Sequence, residues 1–443
     1  MIIHVVKTGE TIDQIAETYG KSAESIIREN ELANPYKLVV GQAIVIVYPQ
    51  KIYTIQEGDT LSGIAYTFHV PLMQLLRNNP YLSKREFIYP GETIVISYEE
   101  KPMPAISTNG YAFPYIDKSI LRKTLPFLTY LSIFCYSVSP EGSLLMIDDM
   151  EVIRLAKEYG VAPIMVLSNI TENGTESSDL LKNLLSNQVR LDTLVNSLLE
   201  VLKEKGYYGI NLDVPSIPPE FMEAFYHLVI ELTNRFHKEN FKVFLTLTPV
   251  TFEIETTTNH DIIDYTLIDQ QIDGVNLLSY SWGRSDNIPI EIIPFYILRF
   301  ILNLNYKYGR LEKTTIGITT IGYIWDIPYI EGASNTSSIT DTNAILLASE
   351  AGSEIYYNKA NQISYFYIFR NNENNYLVYF HDARGIDALT KLVPEYGLNG
   401  ITIWNIMNYF AQLFLLINVQ YSIVKIPPET IPSPVEITKE QGT

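Results

Sequence analysis

Between residues 105 and 425, short apolar runs alternate with longer amphipathic segments, and few folds can satisfy that rhythm. The runs fall around Thr108–Ala112, Tyr130–Phe134, Pro163–Leu167, Gly209–Asp213, Lys242–Thr248, Gly274–Tyr280, Thr315–Thr320 and Gly400–Trp404. Helical spacing marks Ile147–Tyr159, Ser178–Lys205, Pro219–Asn240, Asp261–Gln270, Ile290–Tyr306 and Gly385–Tyr396. Strands that alternate with helices form parallel sheets. The expected class is therefore α/β, a closed (β/α)8 barrel of the TIM type over 105–425. The stretch Tyr329–Phe380 is too long for a crossover. It contains two short aromatic strands, Ser364–Phe369 and Asn375–Phe380, and predicts a small α+β insertion at about 327–381. Tyr409–Val424, broken by Gln412, Asn418 and Gln420, predicts a last core helix rather than a membrane span. Residues 426–443 carry several prolines and predict a disordered tail.

One strand draws the reading toward function. Gly209-Ile210-Asn211-Leu212-Asp213 alternates apolar and polar residues with the period of a strand. Its polar end would face the mouth of the barrel, where such folds place their chemistry.

The first hundred residues repeat. Val6-Lys7-Thr8-Gly9-Glu10-Thr11-Ile12 returns as Ile55-Gln56-Glu57-Gly58-Asp59-Thr60-Leu61, an offset of 49 residues. Ile15-Ala16 and Asn30 recur at the same offset, and Gly41 recurs as Gly91 at an offset of 50. A fixed period marks a repeated structural unit. Each unit reads as strand, helix, helix, strand, giving two small α+β modules at 1–48 and 51–97 and a linker at 98–104. Asp59 or Thr60 is placed to cap the following helix.

Composition excludes some functions. The formal net charge of -18 argues against nucleic acid, whose phosphates need clustered Lys and Arg. The six His residues show no metal-ligand spacing, so neither metal nor cofactor is expected. The single cysteine, Cys135, lies in an apolar run and reads as an inert buried thiol. Tyr is abundant, at 32 residues against 3 Trp, which fits carbohydrate-contacting surfaces and simple compositional preference alike. Met1-Ile2-Ile3-His4-Val5 lacks a basic head and a long apolar core, so the expectation is a chain made in the cytoplasm, without a signal peptide or membrane insertion.

Gly58-Asp59-Thr60-Leu61, Ile64-Ala65, Asn79-Pro80 and Pro90-Gly91-Glu92-Thr93-Ile94-Val95-Ile96 resemble the LysM module. The first copy departs at Glu10 and Val40. The resemblance implies binding of peptidoglycan or another N-acetylglucosamine-containing glycan. It places the groove at Gly9, Glu10 and Thr11 in one copy and at Gly58, Asp59, Thr60, Leu61 and Phe87-Ile88 in the other. The alternative for Asp59 and Thr60 is a purely structural cap.

Tyr208 to Pro215 resembles the signature strand of glycoside hydrolase family 18, Asp-x-x-Asp-x-Asp-x-Glu. Its four signature positions hold Tyr208, Asn211, Asp213 and Pro215. Asn109-Gly110-Tyr111-Ala112, Val161–Asn169, Ser279-Tyr280-Ser281-Trp282-Gly283, Phe380–Arg384 and Gly400–Asn405 are similar to the LysM-bearing spore cortex-lytic branch of that family. The resemblance implies substrate-assisted hydrolysis, an exception to the two-carboxylate scheme. The sugar's acetamido oxygen attacks its own anomeric carbon and a Glu protonates the leaving oxygen. Asp213 would orient the acetamido group, Tyr280 would hydrogen-bond its oxygen and Trp404 would floor the sugar, with Asn211, Tyr111 and Trp282 as further substrate contacts. The proton-donor position is Pro215, which carries no acid, and Ser281 replaces another acidic position. Glu220, the nearest carboxylate, matches a first-turn helix residue of the family. Three outcomes stay open: a spore-envelope glycan binder with an impaired barrel, a working N-acetylglucosaminidase, and a structural coat protein with spore-coat proteins as partners.

Overall fold

The computed structural model describes residues 1–85, 87–98, 103–139, 143–168, 185–213, 221–247, 270–278, 295–308, 310–330, 333–369 and 375–434. Eight parallel strands close a barrel in chain order: Ala105–Ala112, Tyr130–Val138, Ala162–Ser168, Gly209–Asp213, Lys242–Leu247, Gly274–Leu277, Thr314–Thr319 and Gly400–Trp404. The first strand pairs with the second through Asn109 and Tyr130 and with the eighth through Ser107 and Gly400, which shuts the ring. Each lies where the sequence places it.

The alternation within the strands builds two layers. Ile210 and Leu212 of the fourth strand, Val243 and Leu245 of the fifth and Ile401 and Ile403 of the eighth share one apolar core with helix residues such as Leu198, Leu202, Val229 and Phe236. Asn211 and Asp213 point the other way, toward the barrel axis.

Helix ends follow local chemistry. The helix expected from Ser178 is Gln188–Lys205 in the described residues, because the Asn187 side chain accepts from Arg190 N at 3.2 Å and sets a new start. It ends on Gly206 at φ 69, where a Cβ would also collide with the chain at Pro432 and Pro434. The expected helix at Pro219–Asn240 is Met222–Lys238, and that at Ile290–Tyr306 is Phe295–Tyr308. The one expected at Asp261–Gln270 lies outside the described residues but for its last position. A helix not anticipated, Lys118–Thr124, starts where the Asp117 carboxylate accepts from Ser119 N and Ile120 N.

The insertion is larger than its sequence marks. Its antiparallel sheet has five strands among the described residues, begins at Ile321 rather than near 327, and carries the helix Asp341–Ala351 on one face. Residues such as Thr336–Thr340 are too polar to read as strands alone. They are held by pairing with Ile321–Trp325.

Both N-terminal modules are βααβ units. Ile2–Val5 pairs with Ala43–Ile46, and Lys51–Thr54 with Thr93–Ser97. Asn30 and Asn79 recur because each ties its module together. Asn30 exchanges side-chain bonds with Val45 N and O, both at 2.8 Å, and Asn79 does the same with Val95 at 2.8 and 2.7 Å. The modules also share the barrel's core, through Ala43, Val45, Val47, Val95 and Tyr98. Gln412 donates to Ala43 O at 2.8 Å, and Asn418 to Asn78 at 2.9 Å.

The tail corrects an expectation of disorder as far as residue 434. Ile431 is buried, and the Lys157 ammonium donates to Pro432 O at 2.7 Å. Proline removes backbone donors without preventing a segment from packing, and here the Lys157 side chain supplies a bond to a proline carbonyl. Among the described residues no helix is long and apolar enough to cross a membrane.

Candidate functional site

The barrel axis is filled by a neutral polar network. Asn211 is wholly buried, and its amide donates to Tyr111 OH at 3.0 Å and to Thr246 Oγ1 at 2.8 Å. Its carbonyl oxygen accepts from Asn276 at 3.1 Å. The Asn276 oxygen in turn accepts from Thr315 and Thr402, both at 2.9 Å. Tyr111 OH and Thr246 Oγ1 lie 2.6 Å apart. Strands four, five, six, seven, eight and one thus meet through amides and hydroxyls that can each donate and accept.

Asp213 stands above this network, wholly buried at the last described position of its strand, in register with Ser168 and Thr246 on the neighbouring strands. Its charge is felt nearby. Burial first, and then the Asp213 carboxylate, holds the Tyr111 phenol well above its usual pKa. The same causes push the Cys135 thiol up to about 12, so the half-buried cysteine is a protonated, unreactive group at neutral pH.

An aromatic cluster packs on Tyr111, the same ring that registers the Asp213 charge. Trp404 ends the eighth strand half-buried, with its ring 5.3 Å from Tyr111 and 5.2 Å from Phe134. Tyr111 takes a different position from the one expected of a sugar contact. Its ring is fully covered and its hydroxyl is turned down into the axial network, so it supports Trp404 from below. Asn211 is likewise a strut of the network rather than an open group. Pro215, Glu220, Tyr280, Ser281 and Trp282 lie outside the described residues. The structure thus brings together Asp213, Asn211, Tyr111 and Trp404.

Sequence reasoning missed Thr246, Asn276, Thr315, Thr402 and Phe134. The signal was present for three of them as a lone polar residue between apolar ones, as in Leu245-Thr246-Leu247 and Ile401-Thr402-Ile403; Thr315 follows another threonine and carries no such mark.

The fold and the polar mouth agree with the comparison that decides the family. The model of the glycosyl hydrolases family 18 matches residues 166–408, and the LysM domain model matches 4–47 and 53–97. The chain belongs to the glycosyl hydrolases family 18. Over 431 residues it is 28% identical to the cortical fragment-lytic enzyme of Bacillus subtilis strain 168, covering 96% of this chain and 99% of that one. The solved spore cortex-lytic enzyme SleL of Bacillus megaterium QM B1551 is similar at 28% identity and a TM-score of 0.78, over 96% of this chain and 99% of that chain. A chitinase of Chromobacterium violaceum shares the fold at 17% identity and a TM-score of 0.64, over 71% of this chain and 98% of its own.

In the LysM modules, several expected glycan residues hold their own fold. Thr11 and Thr60 are helix caps, accepting from Gln14 N at 3.3 Å and Gly63 N at 3.0 Å. Glu10 and Asp59 close the same turn in each copy, accepting from Lys7 N and Gln56 N at 2.7 Å. Gly9 and Gly58 take φ 79 and 85 in that turn. Leu61 and Ile88 pack half-buried against the second module's core.

Proposed function

We propose that the chain is a glycan-binding protein of the spore envelope that holds N-acetylglucosamine-containing polymer and cleaves it poorly or not at all. The observation that carries this reading is Pro215, two positions beyond Asp213, where the family's proton donor belongs. Substrate-assisted cleavage needs a carboxylate to orient the acetamido group and an acid to protonate the leaving oxygen. Asp213 meets the first need, and a proline has no proton to give. Losing a general acid costs about 10²–10⁴ in rate, and an alkoxide leaving group puts the loss toward the upper end.

Binding makes smaller demands. Trp404 supplies a ring held by Tyr111 and Phe134, and Tyr280 and Trp282 are assigned the remaining acetamido and sugar contacts. The two modules tether the chain to cortex peptidoglycan, and spore-coat proteins are its further partners. Asp213 keeps a structural alternative, as a strand-end carboxylate that only orders the barrel mouth.

A second reading, a working N-acetylglucosaminidase, is favoured by likeness over nearly the whole chain to proteins named cortical fragment-lytic enzymes. It would require Glu220 or another group as the acid. The test is incubation of the purified chain with spore cortex fragments. The expected result is co-sedimentation without a rise in reducing ends. Release of reducing ends that disappears in Glu220→Gln would establish the second reading, and absence of both binding and cleavage would leave a structural coat role.

A further inference from the structure

The two N-terminal modules share a fold and differ in what their second loop touches. In the first module that loop runs against the insertion. Ile355 N donates to Val40 O at 2.9 Å, Ser349 Oγ to Lys37 O at 3.2 Å and the Arg384 guanidinium to Gly41 O at 2.9 Å. Val39, only 5% exposed, belongs to the insertion's own apolar core with Ala344, Ile355 and Phe366. A Cβ at Gly41 would fall on the carbonyl of Ile355.

The equivalent loop of the second module is open. Gly91 matches Gly41, and a Cβ there would meet nothing within 4 Å. Tyr89 matches the buried Val39 and is 58% exposed, while Phe87 matches Lys37 and is 70% exposed. Ile88 between them turns inward to the module's core, which leaves the two rings on the outer side. The Arg85–Glu92 ion pair at 2.7 Å brackets this loop. The second module's loop thus presents two rings to solvent, whereas the first module's loop presents Tyr36, at 85% exposed, and buries Val39. A flat apolar face is what the C–H face of a sugar ring can stack on, and the Tyr89 hydroxyl adds a polar tip for its hydroxyls.

We infer that the modules divide the work: the second carries the glycan contact, with Phe87 and Tyr89 stacking on N-acetyl amino-sugar rings, and the first is a brace clamped between the insertion and the barrel. The inference rests on the reading that the LysM pair holds glycan. Its test is titration of the full chain with an N-acetylglucosamine oligomer, in a Trp404→Ala background that weakens the barrel's own site. The double variant Phe87→Ala/Tyr89→Ala is expected to weaken binding by roughly tenfold or more, as loss of two stacking rings should. Tyr36→Ala/Lys37→Ala, on the matching loop of the first module, should leave binding unchanged within about twofold, since surface changes away from a contact have small effects. A parallel thermal melt compares Gly41→Ala with Gly91→Ala. The two glycines have φ of 85 and 89, so the backbone strain is shared and only the Ile355 contact differs. Gly41→Ala should lower the melting temperature clearly more.

Equal losses from both double variants, or none from either, would overturn the division while leaving the glycan reading intact. Failure of the Trp404→Ala chain to bind, with no co-sedimentation of the native chain on peptidoglycan, would remove the glycan reading itself and the second module's role with it. Equal melts of the two glycine variants would overturn the brace.

Discussion

Two buried polar clusters flank the fourth strand, and they are built on opposite electrostatic plans. Along the barrel axis, Asn211, Tyr111, Thr246, Asn276, Thr315 and Thr402 form a network with no formal charge. Where the preceding helix enters that strand, Lys205 donates to Asp149 at 2.6 Å and to Tyr136 OH at 2.7 Å, while Tyr136 and Tyr207 both donate to the other Asp149 oxygen. All four side chains of the charged cluster are buried. This cluster pins Lys205-Gly206-Tyr207 and so fixes where the fourth strand begins. The neutral network fixes where it ends. A network without charges of its own leaves the Asp213 carboxylate as the charge that Tyr111 and Cys135 register. The difference separates a cluster that holds the fold from one that also shapes a site.

Breaking the charged cluster should have the larger effect on stability. Lys205→Met leaves the Asp149 carboxylate buried without its cation, and loss of one partner of a buried pair costs about 3–5 kcal/mol. Urea unfolding should show a lowered midpoint, while the fraction still folded should bind N-acetylglucosamine oligomers as the native chain does. A loss of affinity in that folded fraction would erase the distinction between the clusters.

Asn211→Ala should cost less, about 1–3 kcal/mol, because it strands neutral partners. Tyr111 OH and Thr246 Oγ1 keep each other, and Asn276 loses an acceptor. Here stability and binding should fall together, since Tyr111 supports the ring of Trp404. Unchanged affinity in this variant would mean that the network carries the barrel alone.

The chain's own letters exposed one side of this comparison better than the other. The barrel strands were legible because period-two alternation is a local signal, and Asp213 and Trp404 were legible because they end such strands in a recognisable order. Lys205 and Asp149 lie 56 residues apart and meet only through the closed fold. Asp149 falls inside the helix expected from Ile147, yet it stands just before the helix, and its carboxylate serves Lys205 and two tyrosines instead of capping it. The modules' repeat was visible as a period, but their docking was not, since Val39 and Tyr89 differ in surroundings rather than in module position. Pro432 looked like part of a loose tail because the ammonium that holds it comes from Lys157, far back in the chain.

The central claim is that a sugar site survives at the barrel mouth and that the missing proton donor is its main loss. Pro215→Glu tests it most directly. Position 215 follows Asp213 by two, and in continued strand geometry it shares its side. A carboxyl beside a second carboxylate is held in its protonated, donating form. Measured as release of reducing ends from N-acetylglucosamine oligomers, turnover should rise from background in Pro215→Glu and vanish again in Pro215→Glu/Asp213→Asn. Recovery should be partial, because Ser281 also departs from the family. Oligomer binding by Pro215→Glu with no gain in turnover would contradict the claim.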